Sequence, residues 1–533
     1  MSESTFNLQL IDYVIVVVYF VGVIAHGLWV SRGHEDADDY FLAGRNLPWY
    51  LIGFSLFASN MSGSSFVGLM GASYDNGLVV FNYEWTAALV LIFFALFMLP
   101  SFLRAGLYTI PQFLETRYDK RSRIAYSVFT VLAIMFIDTA GALYAGGLVI
   151  SNIIPGFTLW TAVAVLALVA GVYTILGGLE AVVVTDTVQA ILLCIGAGAI
   201  FYFGILEIGG WEAMVRQVSA DEFELIKPTD DAFLPWPGIL GVVLLGFYYW
   251  TLNQFVVQRT LGARNLDEGR KGALFAGLLK LPNLFLMILP GVMAIALFPN
   301  MENPDLVFPT LAAELLPVGF RGLILTAVIA AIMSSLDSAL NAASTLVSID
   351  FVKEARPGIH DDTLVKVGRG FTAFAMVVGA IYAPMIRSFE NLFEYFQSVL
   401  AYVTPPIVAV FIIGIFWTRI NRHGGFWAIV SGLVVGVPLF LSKEIFTVWA
   451  DAGLPDLHFT YMAVLMFGFS IVVMAAVSFA TEAPDYTRIQ NYTFTWDVFE
   501  RDLLAIDQPW YADFRYQSAA LAAVMLGTVF FFW

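Results

Sequence analysis

A short stretch of small and polar residues interrupts a long apolar segment near the start of the chain. The segment runs from Pro48 to about Gly71, and its middle reads ASNMSGSSF, residues 58–66. Few of these residues are strong helix formers, whereas the whole segment is long enough to cross a bilayer. A helix that unwinds there exposes carbonyl groups that lipid cannot satisfy, and a cation or a hydroxyl-bearing solute could. Close packing of two helices on small residues is the alternative interpretation.

A second group of oxygen-bearing residues crowds one turn of a later apolar segment, residues 320–348. These residues are Ser334, Ser335, Asp337 and Ser338. Hydroxyl, carboxylate and carbonyl oxygens are hard ligands that suit a small alkali cation. The alternative is that the serine hydroxyls bond back to carbonyls of the preceding helical turn. We favour the cation site.

Ionisable residues also lie inside other apolar segments, where each costs about 2.5–3.5 kcal/mol to insert and therefore usually faces a cavity or a partner. They are Glu84, Asp138, Asp186, Lys280 and Asp337, with Glu394 and Gln397 at the start of a further segment. Glu84 and Lys280 fall near mid-depth. They could form a buried ion pair that neutralises itself, or line a polar cavity and bind hydroxyl groups. Neighbouring aromatic residues would suit a sugar-like ring, although such residues are also ordinary membrane packing.

The elements that must position these residues are membrane helices. The chain has 533 residues, 59% of them hydrophobic and only 13% charged, against about 25% charged in soluble proteins. This composition predicts an all-α polytopic membrane protein with the lipid bilayer as its surroundings. The net charge of −16 argues against a nucleic-acid partner. The single cysteine, Cys194, excludes an internal disulfide.

Catalytic and cofactor signatures are lacking. The five histidines are scattered, and no His/Cys spacing fits a zinc site. No glycine-rich phosphate loop and no nucleophile–base pair is visible. The sequence therefore predicts no enzyme activity and no cofactor other than a coupling ion.

The apolar segments number about fourteen, and most of the 26 lysines and arginines fall in loops on one side, Arg259 among them. This asymmetry places both termini outside a multi-pass plasma (inner) membrane protein. Segments 156–176 and 181–206 are predicted as separate crossings, with Gly177–Gly178 as packing and turn residues. Two sets of five crossings each open with an interrupted helix, SNMSGSS and LGFYYWTLNQ. An inverted repeat with a site at mid-membrane is the expected arrangement.

The predicted organisation has five parts. Residues 1–47 form a first crossing and inner loop, 48–206 a first five-helix repeat, and 207–236 an outer loop. Residues 237–417 form the second repeat, and 418–533 hold three peripheral crossings.

Several sequence motifs, taken together, resemble those of a known family. The pieces YFLAGRNLPW, SLFASN, GLYTIPQFLETRY, GGLEAVVVTDTVQ, YYWTLNQFVVQRTLGARN, AAIMSSLDSALNAASTLVSIDF and FEYFQ occur in order. Together they resemble the sodium/solute symporters, and within them the sodium–glucose cotransporter branch. The resemblance implies a LeuT-like fold of two inverted five-helix repeats with broken helices.

The resemblance also implies roles for individual residues. A sodium site would use the carbonyls of Ala58, Met61 and Ala331 and the hydroxyls of Ser334 and Ser335. A second sodium could bind at Asp186, Asp337 and Ser338. Solute contacts would fall at Ser65, Glu84, Lys280, Gln397 and Tyr249. Tyr249 would also form an inner gate, and Leu69, Tyr83 and Phe393 an outer lid.

Some positions depart from the family pattern. Sugar carriers often have Gln or His at Ser65, a polar side chain at Ala87 and Asn at Gly246, and Asp138 adds a carboxylate that the resemblance does not explain. The function implied is sodium-coupled inward symport of a sugar or sugar-like polyol by alternating access. Symport of a carboxylate or amino acid, with Lys280 as its receptor, is an alternative. An uncoupled sugar sensor or channel is a third.

Overall fold

The chain is almost entirely helical in this computed structural model. The structure describes residues 9–30, 41–61, 63–153, 156–388, 392–446, 448–490, 492–497, 499–500 and 508–532. Within these ranges no strand is present, and the β-type pairing is limited to isolated bridges such as Leu47 with Ala263. The prediction of an all-α protein is confirmed.

The helices of the first half are α1 Leu10–Val30, α2 Trp49–Asn60, α3 Gly63–Asn76, α4 Asn82–Phe93, α5 Leu99–Arg104, α6 Ile110–Arg117, α7 Lys120–Ala133, α8 Ala140–Ile153, α9 Leu159–Glu207 and α10 Trp211–Gln217. Those of the second half are α11 Ile239–Phe247, α12 Gln254–Leu261, α13 Leu266–Lys280, α14 Leu289–Leu297, α15 Val307–Leu315, α16 Phe320–Thr345, α17 Asp361–Tyr382, α18 Leu392–Val403 and α19 Pro405–Phe416. The C-terminal part holds α20 Arg422–Phe440, α21 Val448–Asp451, α22 Phe459–Ala480, α23 Tyr486–Ile489 and α24 Phe514–Phe531.

Several of these helices are long and apolar enough to cross a membrane. In the described part of the chain there are 9 such segments, or up to 11 when two bent helix pairs are each taken as one crossing. The apolar stretches Leu10–Tyr19 and Leu159–Gly171 are shorter. Multiple crossings of this kind make the chain a multi-pass membrane protein.

Both predicted helix interruptions are present. Between α2 and α3 the backbone leaves the helix at Met61, whose φ and ψ are −79° and 69°. In the second set, α11 passes into a π-helical turn at Tyr248–Leu252, and Asn253 is extended before α12 begins. The axes of the two halves differ by 48°. The regular helix is thus interrupted at both predicted positions.

The turn predicted at Gly177–Gly178 is absent, because α9 is helical without interruption from Leu159 to Glu207. Glycine tolerates helical geometry at a modest cost, about 1 kcal/mol relative to alanine. The two glycines therefore do not by themselves end the helix.

A buried ion network joins the two predicted repeats. Arg123 of α7 donates to Asp350, at 2.8 Å, and to Glu115, at 2.5 Å. The hydroxyls of Thr109 and Ser127 donate to the same Asp350 carboxylate, at 2.8 and 2.7 Å. Asp350 is only 1% exposed, and its charge is stabilised by the guanidinium of Arg123 and by the two hydroxyl donors.

The loop that follows α14 packs over α3. The hydroxyl of Tyr74 donates to the carbonyl of Phe298 and accepts from the backbone N–H of Met301, both at 3.0 Å. A β-carbon at Gly71 would lie 2.7 Å from the carbonyl oxygen of Pro304. The loop therefore rests directly on the backbone of the broken helix.

Asp305 in this loop gives a pH-dependent contribution to stability. Burial, and secondarily the charge of Asp75, raise the pKa of Asp305 to about 6 from 3.8. The unfolded chain therefore loses this proton at a lower pH than the folded protein, and stability falls between about pH 4 and pH 6. We expect Asp305→Asn to raise stability by about 1 kcal/mol at pH 7.5, after allowance for solvent screening, and by nothing near pH 4. Thermal unfolding in detergent at both pH values measures this, with the exposed Glu302→Gln as control. A gain that is equal at both pH values would contradict it.

Candidate functional site

The broken helix meets α16 at the polar turn identified in the sequence. The hydroxyl of Ser335 lies 3.0 Å from the carbonyl oxygen of Ala331 and 3.4 Å from that of Ser59. The hydroxyl oxygens of Ser59 and Ser338 are 3.1 Å apart. Ala58, Met61 and Ala331 are each at most 1% exposed. Hydroxyl and carbonyl oxygens from both elements thus converge next to the break.

Ser334 points away from this convergence. Its hydroxyl donates to Asp186 of α9 at 2.5 Å, and Ser55 donates to the other oxygen of the same carboxylate, also at 2.5 Å. Ser334 therefore joins the α16 turn to Asp186. It can ligate a cation only if its hydroxyl turns from the carboxylate, or if the cation shares that carboxylate.

A guanidinium group completes the cluster around Asp186. Arg259 of α12 donates to Asp186 at 3.0 Å and to the hydroxyl of Ser338. Its side chain is 1% exposed. The placement of Arg259 in an inner loop was therefore wrong, because α12 continues the crossing to Leu261 and Asp186 stabilises the buried charge. Two of the three residues predicted for a second sodium are thus already bound to a cationic side chain.

Asp337, the third of those residues, contacts α9 at another position. The hydroxyl of Thr174 in α9 donates to the Asp337 carboxylate at 2.6 Å. Asp337 and Asp186 are both completely buried.

A cavity of about 180 Å³ opens beside the broken helix. Its walls come from both sets of helices. They include all five residues predicted as solute contacts and two of the predicted outer-lid residues: Ser65, Glu84, Lys280, Gln397 and Tyr249, with Leu69 and Tyr83. Ser335 also lines it. The cavity and the oxygen cluster at the break are therefore adjacent, with Ser335 common to both.

Glu84 and Lys280 form an ion pair in the wall of this cavity. Their side chains are 7% and 2% exposed. Asn283 donates to Glu84 at 2.5 Å, and Lys280 also donates to the side-chain oxygen of Asn60. The two groups therefore form a buried ion pair and also face a polar space. Binding of hydroxyl groups by this pair stays a prediction.

Aromatic rings bound the cavity. The ring of Tyr249 packs edge-on against Trp250 and Phe255, with centroids 5.3 and 5.7 Å apart. Tyr83, with Leu69, lies on another wall, and its ring packs against Phe233 at 6.2 Å. The side chain of Phe393, predicted for the outer lid, lies outside the described part of the chain.

The positions that depart from the family pattern also lie at or near this cavity. Ser65 donates to the carbonyl of Asn60 at 2.9 Å, which satisfies a carbonyl freed by the break. Gly246 lines the cavity, and a β-carbon there would meet only Val90, at 3.4 Å. Ala87 is buried. The short side chains leave room that larger residues would fill.

Asp138 lines the same cavity. It lies on the π-helical turn Ile134–Thr139 between α7 and α8. Such turns insert one extra residue into a helix and often mark functional positions. The sequence identified this carboxylate but gave no role for it.

Several residues of the site were not expected from the sequence. Ser55, Ser59, Asn60, Asn283 and Arg259 all bond to predicted site residues. Asn60 and Ser59 lie in the polar stretch itself, so they could have been included. Asn283 follows Lys280 by three residues, a spacing that puts both side chains on one helical face. This spacing could have identified Asn283 as a site residue from the sequence.

Comparison with known proteins gives a family match over most of the chain. Residues 40–432 match a family model described as the sodium:solute symporter family. A sodium/glucose cotransporter of Vibrio parahaemolyticus is 35% identical over 518 residues, which cover 91% of this chain and 93% of that protein. Sodium/glucose cotransporter 4 of Mus musculus is 34% identical over 90% of this chain and 78% of its own length. Sodium/glucose cotransporter 1 of Oryctolagus cuniculus is 32% identical, over 91% and 81%.

Solved structures share the fold at lower sequence identity. A Na⁺-coupled sialic acid symporter in a substrate-bound outward-open state aligns with a TM-score of 0.78 at 23% identity, over 90% of this chain and all of that one. Mhp1, a nucleobase-cation-symport-1 family transporter, aligns with a TM-score of 0.56 at 14% identity, over 85% and 97%. The helical architecture expected from the resemblance is confirmed by these alignments.

Proposed function

The chain belongs to the sodium:solute symporter family, and from that premise we propose that it carries a sugar or sugar-like polyol across the membrane together with sodium. Its relatives are named sodium/glucose cotransporters. The observation that carries the proposal is the position of the Glu84–Lys280 pair in the wall of a cavity that adjoins the broken helix. An ion pair so placed offers an acceptor and a donor to the hydroxyl groups of one ring.

Sodium would bind where α2 breaks and faces α16. The proposed ligands are the carbonyls of Ala58, Met61 and Ala331 and the hydroxyls of Ser334 and Ser335. Hard oxygen ligands with few formal charges suit an alkali cation. Because Arg259 already binds Asp186 and Ser338, we propose one coupled sodium, and a second at these residues stays a prediction.

The coupling between sodium binding and solute binding would come from Ser335 and from the break between α2 and α3. Sodium would hold the broken helix against α16, and the ordered break would present Asn60 and Lys280 to the solute. Each ligand would then strengthen binding of the other by the same factor. The two repeats, proposed as residues 48–206 and 237–417, would rock about the site, with Tyr249 yielding on the inner side and Tyr83 with Leu69 and Phe393 on the outer side.

The available driving force is sufficient for steep accumulation. One charge crossing about 100 mV contributes about 2.3 kcal/mol, and a tenfold sodium gradient about 1.4 kcal/mol. Their sum corresponds to a solute gradient of several hundred-fold. We propose inward transport in the plasma (inner) membrane with both termini outside.

The proposal is tested in proteoliposomes. Uptake of labelled glucose, galactose and inositol is measured with an inward sodium gradient and an imposed inside-negative potential, and then with potassium replacing sodium. Uptake should depend on both sodium and potential. Uptake that is independent of both sodium and membrane potential contradicts sodium coupling. Competition by carboxylates or amino acids, but by no sugar, favours the alternative substrate class with Lys280 as receptor.

Removal of the Ser335 hydroxyl tests the sodium site. We expect Ser335→Ala to raise the sodium concentration for half-maximal uptake about tenfold, which is about 1.4 kcal/mol. The reason is loss of one oxygen ligand at the junction of α2 and α16. Uptake at varied sodium measures it, and Ser344→Ala, a serine on the same helix about two turns further along, serves as control. An unchanged sodium dependence in Ser335→Ala would remove this residue from the site.

A further inference from the structure

The second helix break carries an asparagine that lines the solute cavity. Asn253 has extended backbone angles, with φ and ψ of −64° and 122°, between the π-helical turn and α12. It is 3% exposed and forms part of the cavity wall. The family resemblance does not include this residue among the solute contacts. Its hydrogen bonds show what it offers to a solute.

The backbone around Asn253 is held by bonds within the protein. The hydroxyl of Tyr126 donates to the carbonyl of Leu252 at 2.7 Å. The backbone N–H of Asn253 donates to the carbonyl of Tyr248 at 2.9 Å, and its carbonyl accepts from the N–H of Val257 at 3.0 Å. The Leu252 carbonyl and both backbone groups of Asn253 are therefore satisfied. The group that remains for a solute is the Asn253 side chain.

The two ends of that side-chain amide have different surroundings. Its oxygen accepts a bond from the backbone N–H of Phe255 at 3.3 Å, which caps the start of α12. Because a backbone N–H donates to the oxygen and not to the nitrogen, this bond fixes the orientation of the amide. In the described part of the chain, no protein group accepts a bond from the amide nitrogen. A buried donor without an acceptor is unfavourable, so the nitrogen favours a solute that supplies one.

Other polar groups in the cavity wall already have protein partners. Glu84 and Lys280 are paired with each other, and Lys280 also donates to the side chain of Asn60. The hydroxyl of Ser65 donates to the carbonyl of Asn60. A solute hydroxyl that binds these groups competes with bonds that exist before it arrives. A hydroxyl oxygen that accepts from Asn253 breaks no bond within the protein.

We propose that Asn253 is a further solute-binding residue, whose amide nitrogen donates to one hydroxyl oxygen of the solute; this rests on the proposed function. Because Asn253 also caps α12, the solute is then bound at the first turn of that helix. The same helix carries Arg259, which pairs with Asp186 beside the proposed sodium site. The contact therefore joins the solute to the helix that holds the ion cluster.

The test is a double-mutant cycle between Asn253 and the hydroxyl groups of the solute, on the purified full-length protein. Whichever of glucose, galactose and inositol binds most tightly is titrated by calorimetry in saturating sodium, beside analogues that each lack one hydroxyl group. In wild type, we expect at least one analogue to bind about tenfold less tightly than its parent. In Asn253→Ser, the difference for one such analogue should fall below about twofold, because the amide donor is gone.

Serine is also a preferred helix cap, so Asn253→Ser keeps α12 capped while it removes the amide. Asn265→Ser makes the same change at the exposed cap of α13 and should keep the wild-type pattern of affinities. Because Asn253→Ser could fail to fold, Asn253→Gly is titrated as well. Glycine is tolerated at a cap and removes the whole side chain, so it should abolish the same discrimination.

The outcomes separate this proposal from the proposed function. If sugars bind in sodium and the pattern across the analogues is unchanged in the Asn253 variants, the residue only caps α12 and the contact is overturned. Weakening of every analogue by one common factor also overturns it, because a perturbed fold does not select one hydroxyl group. In both cases sodium–sugar symport stands. Failure of glucose, galactose and inositol all to bind in sodium overturns the proposed function, and the contact with it.

Discussion

Replacement of Lys280 by methionine is expected to lower the free energy of unfolding by about 3–5 kcal/mol and to abolish sugar uptake. Methionine fills a volume similar to that of lysine but cannot balance the Glu84 carboxylate, which is 6% exposed. Among the described residues, the hydrogen bond from Asn283 would remain to stabilise that charge. Breaking a buried pair by removing one partner typically costs this much, because it leaves an uncompensated buried charge.

The double variant Glu84→Gln/Lys280→Met separates folding from binding. With no charge left at either position, most of the lost stability should return. Uptake should stay low, because the hydroxyl partners proposed for the solute are gone. Thermal unfolding in detergent and proteoliposome uptake measure the two effects. Lys120→Met, whose side chain is 54% exposed, is the control and should change stability by less than about 1 kcal/mol. Normal uptake by the double variant would show that the Glu84–Lys280 pair contributes to folding but does not bind the solute.

The break at Met61 was predictable because its cause is local. Small and polar residues in an apolar segment are poor helix formers wherever the segment packs. The charges at Glu84 and Lys280 were predictable for a similar reason, since an ionisable residue at mid-depth needs a cavity or a partner whatever the fold. The sequence therefore identified the two sides of the site without knowledge of how they meet.

The buried environment of Arg259 could not be predicted from the sequence. It lies at the end of an apolar segment, where the positive-inside pattern predicts a position in an inner loop. Only the tertiary packing of α9 against α12 and α16 brings Asp186 close enough to keep the guanidinium buried. The π-helical turn that carries Asp138 was equally hidden, since its sequence, IMFIDT, has no breaker residue. The orientation of that carboxylate depends on one extra residue per turn, which periodicity does not reveal.

Replacement of Arg259 by methionine is expected to make the stability of the protein depend on sodium. In wild type the guanidinium compensates Asp186, to which Ser55, Ser59 and Ser334 also donate. Without the guanidinium, the completely buried Asp186 carboxylate loses the cation to which it is paired. We expect a loss of about 3–5 kcal/mol in sodium-free buffer, as for other broken buried pairs.

Sodium should restore much of this loss in Arg259→Met, because the freed Asp186 and Ser338 oxygens, with Asp337 nearby, form the set predicted for a second cation. Ligand binding to the folded state alone raises stability by about 2.7 kcal/mol at a hundredfold excess over Kd. Thermal unfolding with increasing sodium chloride measures it, and potassium chloride controls for ionic strength. Arg216→Met, at an exposed position, should unfold as wild type does in both salts. Equal recovery in both salts would show that the cluster does not bind sodium, and no loss of stability would show that Asp186 is not charged. Recovery in sodium alone would mean that Arg259 fills the place of a second coupling ion, so that wild type carries one sodium per cycle.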